Sequence, residues 1–286
     1  MALIVETMRP RQWIKNAFVL AGLVFSGSAL ELDAQLNAWT ATIAFCLVSG
    51  ATYLLNDAAD AATDRLNPRT AGRPVARGDL SPAAARVAAV VAAAAAFGLA
   101  ALVNWETLAV LGGFLVLQLG YSAGLKHVLF LDVMIIASGF VLRALAGLVA
   151  LGPAVSEWLL LCTGLLALFV GLAKRRGEAV ALGGKEHPQR PVLESYSVTL
   201  LDELIAVVTP SVLVVYALYA AVGAQAGNVM LVTVPFVLYG IFRVLFLIHH
   251  KNGTEEPELI VWKDRPLLTC ILLWGLVSGI IGAIAN

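Results

Sequence analysis

Long apolar runs alternate with short polar segments along the whole 286-residue chain. A helix needs about 20 apolar residues to cross a bilayer core, and lipid cannot satisfy an open backbone. The pattern therefore predicts an all-α, polytopic membrane protein with nine transmembrane helices. The predicted spans are 14 to 30, 38 to 56, 82 to 103, 107 to 123, 131 to 151, 157 to 173, 200 to 223, 229 to 248 and 266 to 285.

The composition supports a membrane protein. The chain is 60% hydrophobic and 13% charged, whereas soluble domains are about 45–50% apolar and about 25% charged. This excludes a secreted disulfide scaffold, a disordered regulator and an ordinary cytosolic enzyme. Because 19 Lys and Arg balance 19 Asp and Glu, no net field favours a nucleic acid partner.

The distribution of charge predicts the topology. With a cytoplasmic amino terminus, 17 of the 19 Lys and Arg lie in cytoplasmic segments or at the cytoplasmic ends of spans, and the other two, Arg143 and Arg243, lie deeper within spans. Cytoplasmic segments are enriched in Lys and Arg, and 15 of the 19 acids share this face. We expect one domain, 1–286, with cytoplasmic loops at 57–80 and 174–199. An alternative interpretation makes residues 9 to 29 a cleaved signal peptide, which would leave the remaining topology unchanged.

An acidic motif follows the second span and contains Asn56, Asp57, Asp60 and Asp64. On a helical extension of that span, the three aspartates fall within an arc of about 60°. Like charges so close need a cation among them, and oxygen ligands suit Mg²⁺, which commonly bridges carboxylates to substrate phosphates. The motif predicts a catalytic Mg²⁺-diphosphate site. The alternative is a solvated helix end whose acids are neutralised by Arg65, Arg69 and Arg73.

Basic segments accompany the acidic motif on the predicted cytoplasmic face. Guanidinium and ammonium groups bind phosphate oxygens, so these segments favour a polyanionic substrate. The alternative is ordinary enrichment of cations at the cytoplasmic boundary. The segments are Arg9 to Asn16, Arg73 to Gly78 including Arg77, Tyr121 to Asp132 including Lys126, and Lys174 to Glu178. Arg65, which directly follows Asp64, is a further candidate for substrate binding.

Other candidates carry a weaker signal. Glu194, Tyr196 and Asp202 lie four spans after the acidic motif, where Asp202 could join a second metal or orient a substrate hydroxyl, or cap a helix start. Arg143 is an intramembrane cation and therefore a site candidate, although hydrogen bonds to neighbouring carbonyls would also explain it.

The motif Asn56-Asp57-x-x-Asp60-x-x-x-Asp64-Arg65 resembles the first aspartate motif of the UbiA prenyltransferase superfamily. The resemblance covers nearly the whole chain. It implies a nine-helix membrane protein that uses Mg²⁺ in a cytoplasm-facing pocket of the inner membrane.

Five further segments are similar to the decaprenyl-phosphate phosphoribosyltransferase branch of that superfamily. They are Arg9 to Asn16, Leu131 to Val133, Gly139 to Ala144, Lys174 to Glu178 and Asp264 to Leu268. The branch transfers the 5-phosphoribosyl group of phosphoribosyl diphosphate to a polyprenyl phosphate, and in mycobacteria the product feeds arabinan synthesis in the cell wall.

Residue roles follow from this resemblance by position. Asn56, Asp57, Asp60 and Asp64 would hold Mg²⁺ and the departing diphosphate. Phosphates would be bound by Lys15, Arg73, Lys126, Lys174 and Arg175. The chain departs from the family between Asn67 and Pro74, where a His and a Lys-Arg pair are more usual, and in its reduced second acidic motif. The reduced second acidic motif disfavours prenylation of an aromatic acceptor.

Two other functions stay open. A UbiA-type enzyme could join a prenyl diphosphate to an aromatic or lipophilic acceptor. A secondary transporter of phosphorylated metabolites would also have many helices, although transporters tend to place ionisable sites near the bilayer midplane. The lipid chain length and the oligomeric state stay open too, with a homo-oligomer allowed.

Overall fold

The computed structural model describes residues 1–25, 28, 31–68, 70–152, 157–183, 191–224, 227–250 and 264–285. These residues form helices and turns and include no β-strand, which confirms the all-α prediction. The α-helices are α1 Ala2–Thr7, α2 Ala21–Phe25, α3 Leu32–Ala59, α4 Ala61–Asp64, α5 Pro74–Arg77, α6 Pro82–Val103, α7 Trp105–Ala123, α8 Leu131–Leu151, α9 Glu157–Leu182, α10 Val198–Leu218, α11 Val234–His250 and α12 Arg265–Ala285. Short 3₁₀ segments are Pro10–Leu20, Leu125–His127, Pro191–Ser195 and Gly227–Thr233, and a π turn, Tyr219–Gly223, ends α10.

Eight helical segments of the described residues are long and apolar enough to cross a membrane. They correspond to the last eight predicted spans, and the chain is therefore a multi-pass membrane protein. The first predicted span, 14 to 30, begins within the 3₁₀ segment Pro10–Leu20 and continues in α2. At about 2.0 Å per residue for 3₁₀ and 1.5 Å for α, these two segments reach about 30 Å. A ninth crossing stays a prediction, because residues 26, 27, 29 and 30 lie outside the described part.

Side chains cap several of the long helices at their first turns. Ser81 accepts a hydrogen bond from the Ala84 N–H of α6 at 3.1 Å, and Asn104 accepts one from the Thr107 N–H of α7 at 2.7 Å. Ser197 does the same for α10. These caps satisfy backbone donors that an α-helix leaves open at its start.

The described residues form two compact units. The first comprises Met1–Gly124 and Leu142–Val155. In it α6 packs on α3 through a stripe of buried alanines, Ala85, Ala89, Ala92, Ala96 and Ala100. Their spacing of three or four residues keeps them on one helix face. The alanine-rich run from Pro82 to Val103 is therefore a closely packed helix.

A glycine lets the 3₁₀ segment approach α8 within the first unit. A Cβ on Gly147 would lie 1.8 Å from the Val19 carbonyl oxygen, so no larger residue fits. Gly22 is in similar contact with the Gly147 backbone. The segment that carries Lys15 is therefore held against α8 by backbone-to-backbone contact.

The second unit comprises Leu125–Val141 and Ser156–Asn286. Its core joins α9 and α10 with the start of α8 and with α11, through buried residues such as Val133, Phe169, Leu201 and Ile241. The predicted loop 174–199 begins later than expected, because α9 continues to Leu182 before the 3₁₀ segment Pro191–Ser195. Residues 184–190 lie outside the described part.

Candidate active site

Two carboxylates of the predicted acidic motif meet at one guanidinium in the first unit. Asp57, on the last turn of α3, is 1% exposed, and Asp64, at the end of α4, is also buried. Arg73 Nη1 lies 2.7 Å from Asp64 Oδ2 and 3.3 Å from Asp57 Oδ1. Pro74 follows Arg73 and starts α5, so Arg73 takes the extended backbone typical of a residue before proline. The loop between α4 and α5 thus brings a cation back to both acids.

Arg9 is a second cation at this place, and sequence reasoning did not single it out as a site residue. Its Nη2 lies 2.5 Å from Asp57 Oδ1, and its guanidinium lies 4.7 Å from the centre of the Tyr53 ring. The signal that could have found it is the basic segment beginning Arg9-Pro10, which echoes Arg73-Pro74.

Asp60 does not join the other two aspartates. The prediction of a shared face assumed a continuous helix, but α3 ends at Ala59 and Asp60 has φ −90° and ψ 5°, outside the α region. Asp60 is half-exposed, and its carboxylate has no hydrogen bond or ion pair among the described residues. The expectation that three carboxylates point at one place is therefore corrected to two.

The donor set fits a divalent metal bound together with substrate. In the part of the chain that the structure describes, no three His, Cys, Asp or Glu side chains cluster as metal ligands. However, Asp57 Oδ2 is buried and has no hydrogen-bond partner among the described residues. Mg²⁺ is commonly held by one or two carboxylates plus substrate phosphates and water. Asp57 and Asp64 are the residues that would hold it, and Asn56 precedes Asp57 on the last turn of α3.

The other predicted phosphate ligands of the first unit are more exposed. Arg65 donates to the Ala76 carbonyl at 2.8 Å, and Arg77 contacts Asp79 and Glu6. Lys15 and Tyr121 are half-buried, whereas Arg69 lies outside the described residues. The structure therefore groups Asp57, Asp64 and Arg73 more tightly than these side chains.

Arg143 is a buried part of the first unit. Its Nε donates to Asn16 Oδ1 at 2.8 Å, and its guanidinium lies 4.7 Å from the centre of the Phe114 ring. One acceptor of the Arg143 guanidinium is thus the side-chain amide of Asn16, and hydrogen bonds to neighbouring carbonyls stay a prediction. Arg143 thereby fixes the 3₁₀ segment that also carries Lys15.

A second polar network lies inside the second unit. Asp132 is 0% exposed and Arg175 is 1% exposed, and Arg175 Nε lies 2.7 Å from Asp132 Oδ2. Arg175 also contacts Glu178. The Tyr196 hydroxyl donates to Asp132 Oδ1 at 2.7 Å and accepts from the Phe130 N–H at 2.9 Å. A guanidinium so buried and doubly paired is poorly placed to take a phosphate, which corrects the assignment of Arg175 as a phosphate ligand.

Tyr196→Phe is expected to destabilise the protein by about 1–3 kcal/mol, because it leaves the Phe130 N–H and one Asp132 oxygen unpaired. Burial and the hydrogen bond to Asp132 raise the pKa of Tyr196 above its usual value near 10. The neutral hydroxyl is therefore favoured in the folded state. Its stabilising contribution is complete below about pH 10, the pKa of an unfolded tyrosine, and declines as the pH rises further.

The measurement is the free energy of unfolding of both proteins in detergent at several pH values from 8 to 11. The difference between wild type and variant should narrow only at the alkaline end. An equal difference at every pH would contradict the role of the hydroxyl proton.

The remaining predicted residues of the second unit lie near its surface. Asp202 pairs with Arg176 and lies 3.4 Å from His249 Nε2. Lys126 and Lys174 are half-buried and Glu194 is exposed. Asp202 thus has an ion-pair partner in Arg176. It does not cap α10, because the N-cap is Ser197 and the first turn of the helix contains no acid.

Comparison with known proteins decides the family. The sequence profile of the UbiA prenyltransferase family matches residues 16–263. The chain belongs to this family. A UbiA homolog from Archaeoglobus fulgidus, solved with GPP and Mg²⁺, has the same fold, with a TM-score of 0.72 at 18% identity over 99% of this chain and 98% of the other.

Two relatives of this UbiA family protein are similar over nearly their whole length. A decaprenyl-phosphate phosphoribosyltransferase from Mycolicibacterium smegmatis is 32% identical, over 98% of this chain and 91% of the relative. One of the same name from Corynebacterium glutamicum is 34% identical, over 94% and 83%. In this UbiA family protein the acidic motif thus lies at the end of α3, with Arg9 and Arg73 as its cations.

Proposed function

We propose that this protein transfers the 5-phosphoribosyl group from phosphoribosyl diphosphate to decaprenyl or another polyprenyl phosphate and releases diphosphate. The observation that carries this proposal is the similarity, along nearly the whole chain, to relatives named decaprenyl-phosphate phosphoribosyltransferase. The enzyme is a pentosyl-type transferase that acts on a lipid substrate in the inner membrane.

The first acidic motif is the proposed donor site. Asp57 and Asp64 present carboxylate oxygens, and Arg9 and Arg73 present guanidinium donors within the same small volume. A diphosphate needs both: acids to share a divalent metal, and cations to bind its remaining oxygens. When bound, Mg²⁺ would neutralise the charge that develops on the departing diphosphate.

The reaction needs little acid or base chemistry from the protein. A phosphate oxygen of the polyprenyl phosphate forms a bond to ribose C1 while the bond from C1 to the diphosphate oxygen breaks. The bonding electrons leave with the diphosphate, and the lipid nucleophile is already anionic. The protein therefore contributes mainly positioning and stabilisation of the leaving group, through Arg9 and Arg73.

The distribution of charge supports a site at the cytoplasmic face. The acidic motif begins at the end of α3, a helix long and apolar enough to cross a membrane. A soluble sugar diphosphate can reach such a boundary from water, and a lipid phosphate can reach it from the bilayer. The same placement argues against a transporter, whose ionisable sites lie near the midplane.

A donor assay tests the proposed function. The purified protein in lipid nanodiscs receives Mg²⁺, decaprenyl phosphate and phosphoribosyl diphosphate labelled in the ribose. We expect labelled lipid and an equal amount of free diphosphate, and neither product when the metal is chelated. If no labelled lipid formed, but a labelled prenyl diphosphate supplied with an aromatic or lipophilic acceptor gave product, the prenyltransferase alternative would be selected.

A further inference from the structure

Arg9 has a strained backbone at the acidic motif. It has φ 54° and ψ 67°, the left-handed region, although it is not glycine and precedes a proline. A residue before proline prefers an extended backbone, and a left-handed conformation costs free energy in any residue with a side chain. Such strain persists only where the surrounding structure enforces it, and it is concentrated at functional sites.

Packing on both sides of Arg9 enforces this conformation. The Met8 side chain lies on Gly50 of α3, where an added Cβ would be 2.5 Å from Met8 Cε. Trp13 Nε1 donates to the Met8 carbonyl at 3.2 Å. The backbone is thus fixed so that the Arg9 side chain points at Asp57.

The two oxygens of the Asp57 carboxylate differ in their hydrogen bonding. Both arginines donate to Oδ1, whereas Oδ2 is buried and has no partner among the described residues. Arg73 also pairs with Asp64, whereas within the described part of the chain Arg9 pairs with Asp57 alone. The Arg9 side chain is 30% exposed, so its guanidinium can leave the carboxylate without unpacking the helix.

We propose that Arg9 is an exchangeable counterion: it neutralises Asp57 in the substrate-free protein and transfers to the diphosphate when a divalent cation takes the carboxylate. This inference rests on the proposed function, since it names how the same site receives its donor. It adds Arg9 as a substrate-binding residue, which is neither an acid of the motif nor one of the predicted phosphate ligands.

The proposal requires two effects of opposite sign. An arginine beside Asp57 opposes the binding of another cation to that carboxylate, so its removal strengthens metal binding in the absence of substrate. The same removal takes a guanidinium away from the diphosphate, so it weakens diphosphate binding. If Arg9 only supported the fold, its removal would weaken both metal binding and diphosphate binding.

Arg9→Asn is the variant of choice, because asparagine tolerates the left-handed backbone and removes the charge. Arg9→Lys keeps a positive charge. Arg11→Asn is the matched control, since Arg11 lies in the same segment, is exposed, and has no hydrogen bond or ion pair among the described residues.

Two binding measurements on the full-length protein in nanodiscs test the proposal. The dissociation constant of Mn²⁺ alone is measured by electron paramagnetic resonance. That of inorganic diphosphate is measured by calorimetry at saturating Mg²⁺. For Arg9→Asn we expect the Mn²⁺ dissociation constant to fall and the diphosphate dissociation constant to rise, each about tenfold. A tenfold change corresponds to about 1.4 kcal/mol, between the interaction of two adjacent unit charges in water and that near a protein surface. Arg9→Lys should give smaller changes of the same signs, and Arg11→Asn none.

Unchanged or weaker Mn²⁺ binding in Arg9→Asn would overturn the proposal, and so would unchanged diphosphate binding. Neither measurement depends on a phosphoribosyl donor or a lipid acceptor. If the donor assay failed while the opposed changes appeared, the counterion role would stand and only the proposed function would fall.

Discussion

Asp57→Asn is expected to reduce the rate of phosphoribosyl transfer by about 10²- to 10³-fold. Asparagine preserves the volume of the side chain but removes the charge that would hold a metal and attract Arg9 and Arg73. Because both arginines are partly exposed at about 30%, water can solvate them in the variant, and we expect the protein to fold and insert. The measurement is turnover in the donor assay, normalised to monodisperse protein by size-exclusion chromatography.

Asp33→Asn is the matched control, because it makes the same change at an exposed position in the first turn of the same helix, α3. Its turnover should equal that of wild type. Asp60→Asn should lower turnover less than Asp57→Asn does, since the Asp60 carboxylate is half-exposed. Wild-type turnover in Asp57→Asn would refute the assignment of this carboxylate to the site.

Asp132→Ala is expected to destabilise the protein by about 3–5 kcal/mol. Asp132 and Arg175 are both almost fully buried, at 0% and 2% side-chain exposure, and their atoms lie 2.7 Å apart. The variant removes a carboxylate from a guanidinium that stays in the interior beside Glu178, and it also removes the acceptor of the Tyr196 hydroxyl. The measurement is the free energy of unfolding in mixed detergent micelles.

Replacing both Asp132 and Arg175 separates two contributions to the free energy of unfolding: the cost of leaving one buried charge unpaired and the net stabilisation by the ion pair. Asp132→Leu combined with Arg175→Met should recover most of the lost stability, because apolar residues of similar volume can replace a buried ion pair. Asp202→Ala, in a pair whose carboxylate is 38% exposed, should cost no more than about 1 kcal/mol. Equal losses for Asp132→Ala and Asp202→Ala would show that burial of the Asp132 pair does not matter.

The helices were the most predictable part of the fold. Eight of the nine predicted spans correspond to described helices that are long and apolar enough for a membrane, because length and hydropathy are local properties of the chain. The 3₁₀ segment Pro10–Leu20 was not predicted. It depends on Gly147 and Arg143, which are distant in sequence and supply its packing and a hydrogen bond.

The candidate site was predictable in its residue types but not in its pairing. Asp57, Asp64 and Arg73 are close in the chain, and the structure brings Arg73 into contact with both acids. Asp60 was grouped with them only on the assumption of an unbroken helix, and the change in backbone at Asp60 excludes it. Arg9 was missed because it lies 48 residues from Asp57, a separation that no local spacing describes.

The sequence by itself determined that this is a membrane-spanning helical protein of the UbiA type. It also determined that most charged residues lie outside the apolar spans, because each charged side chain placed in lipid costs free energy whatever its partners in the fold. The tertiary structure alone decided which charges meet. Asp132 and Arg175 look like boundary residues in the sequence yet form an interior pair, and Asp57 keeps one oxygen unpaired while Arg9 and Arg73 share the other. Such pairings follow from packing between distant segments, which sets burial and distance, and these in turn set the strength of each charge interaction.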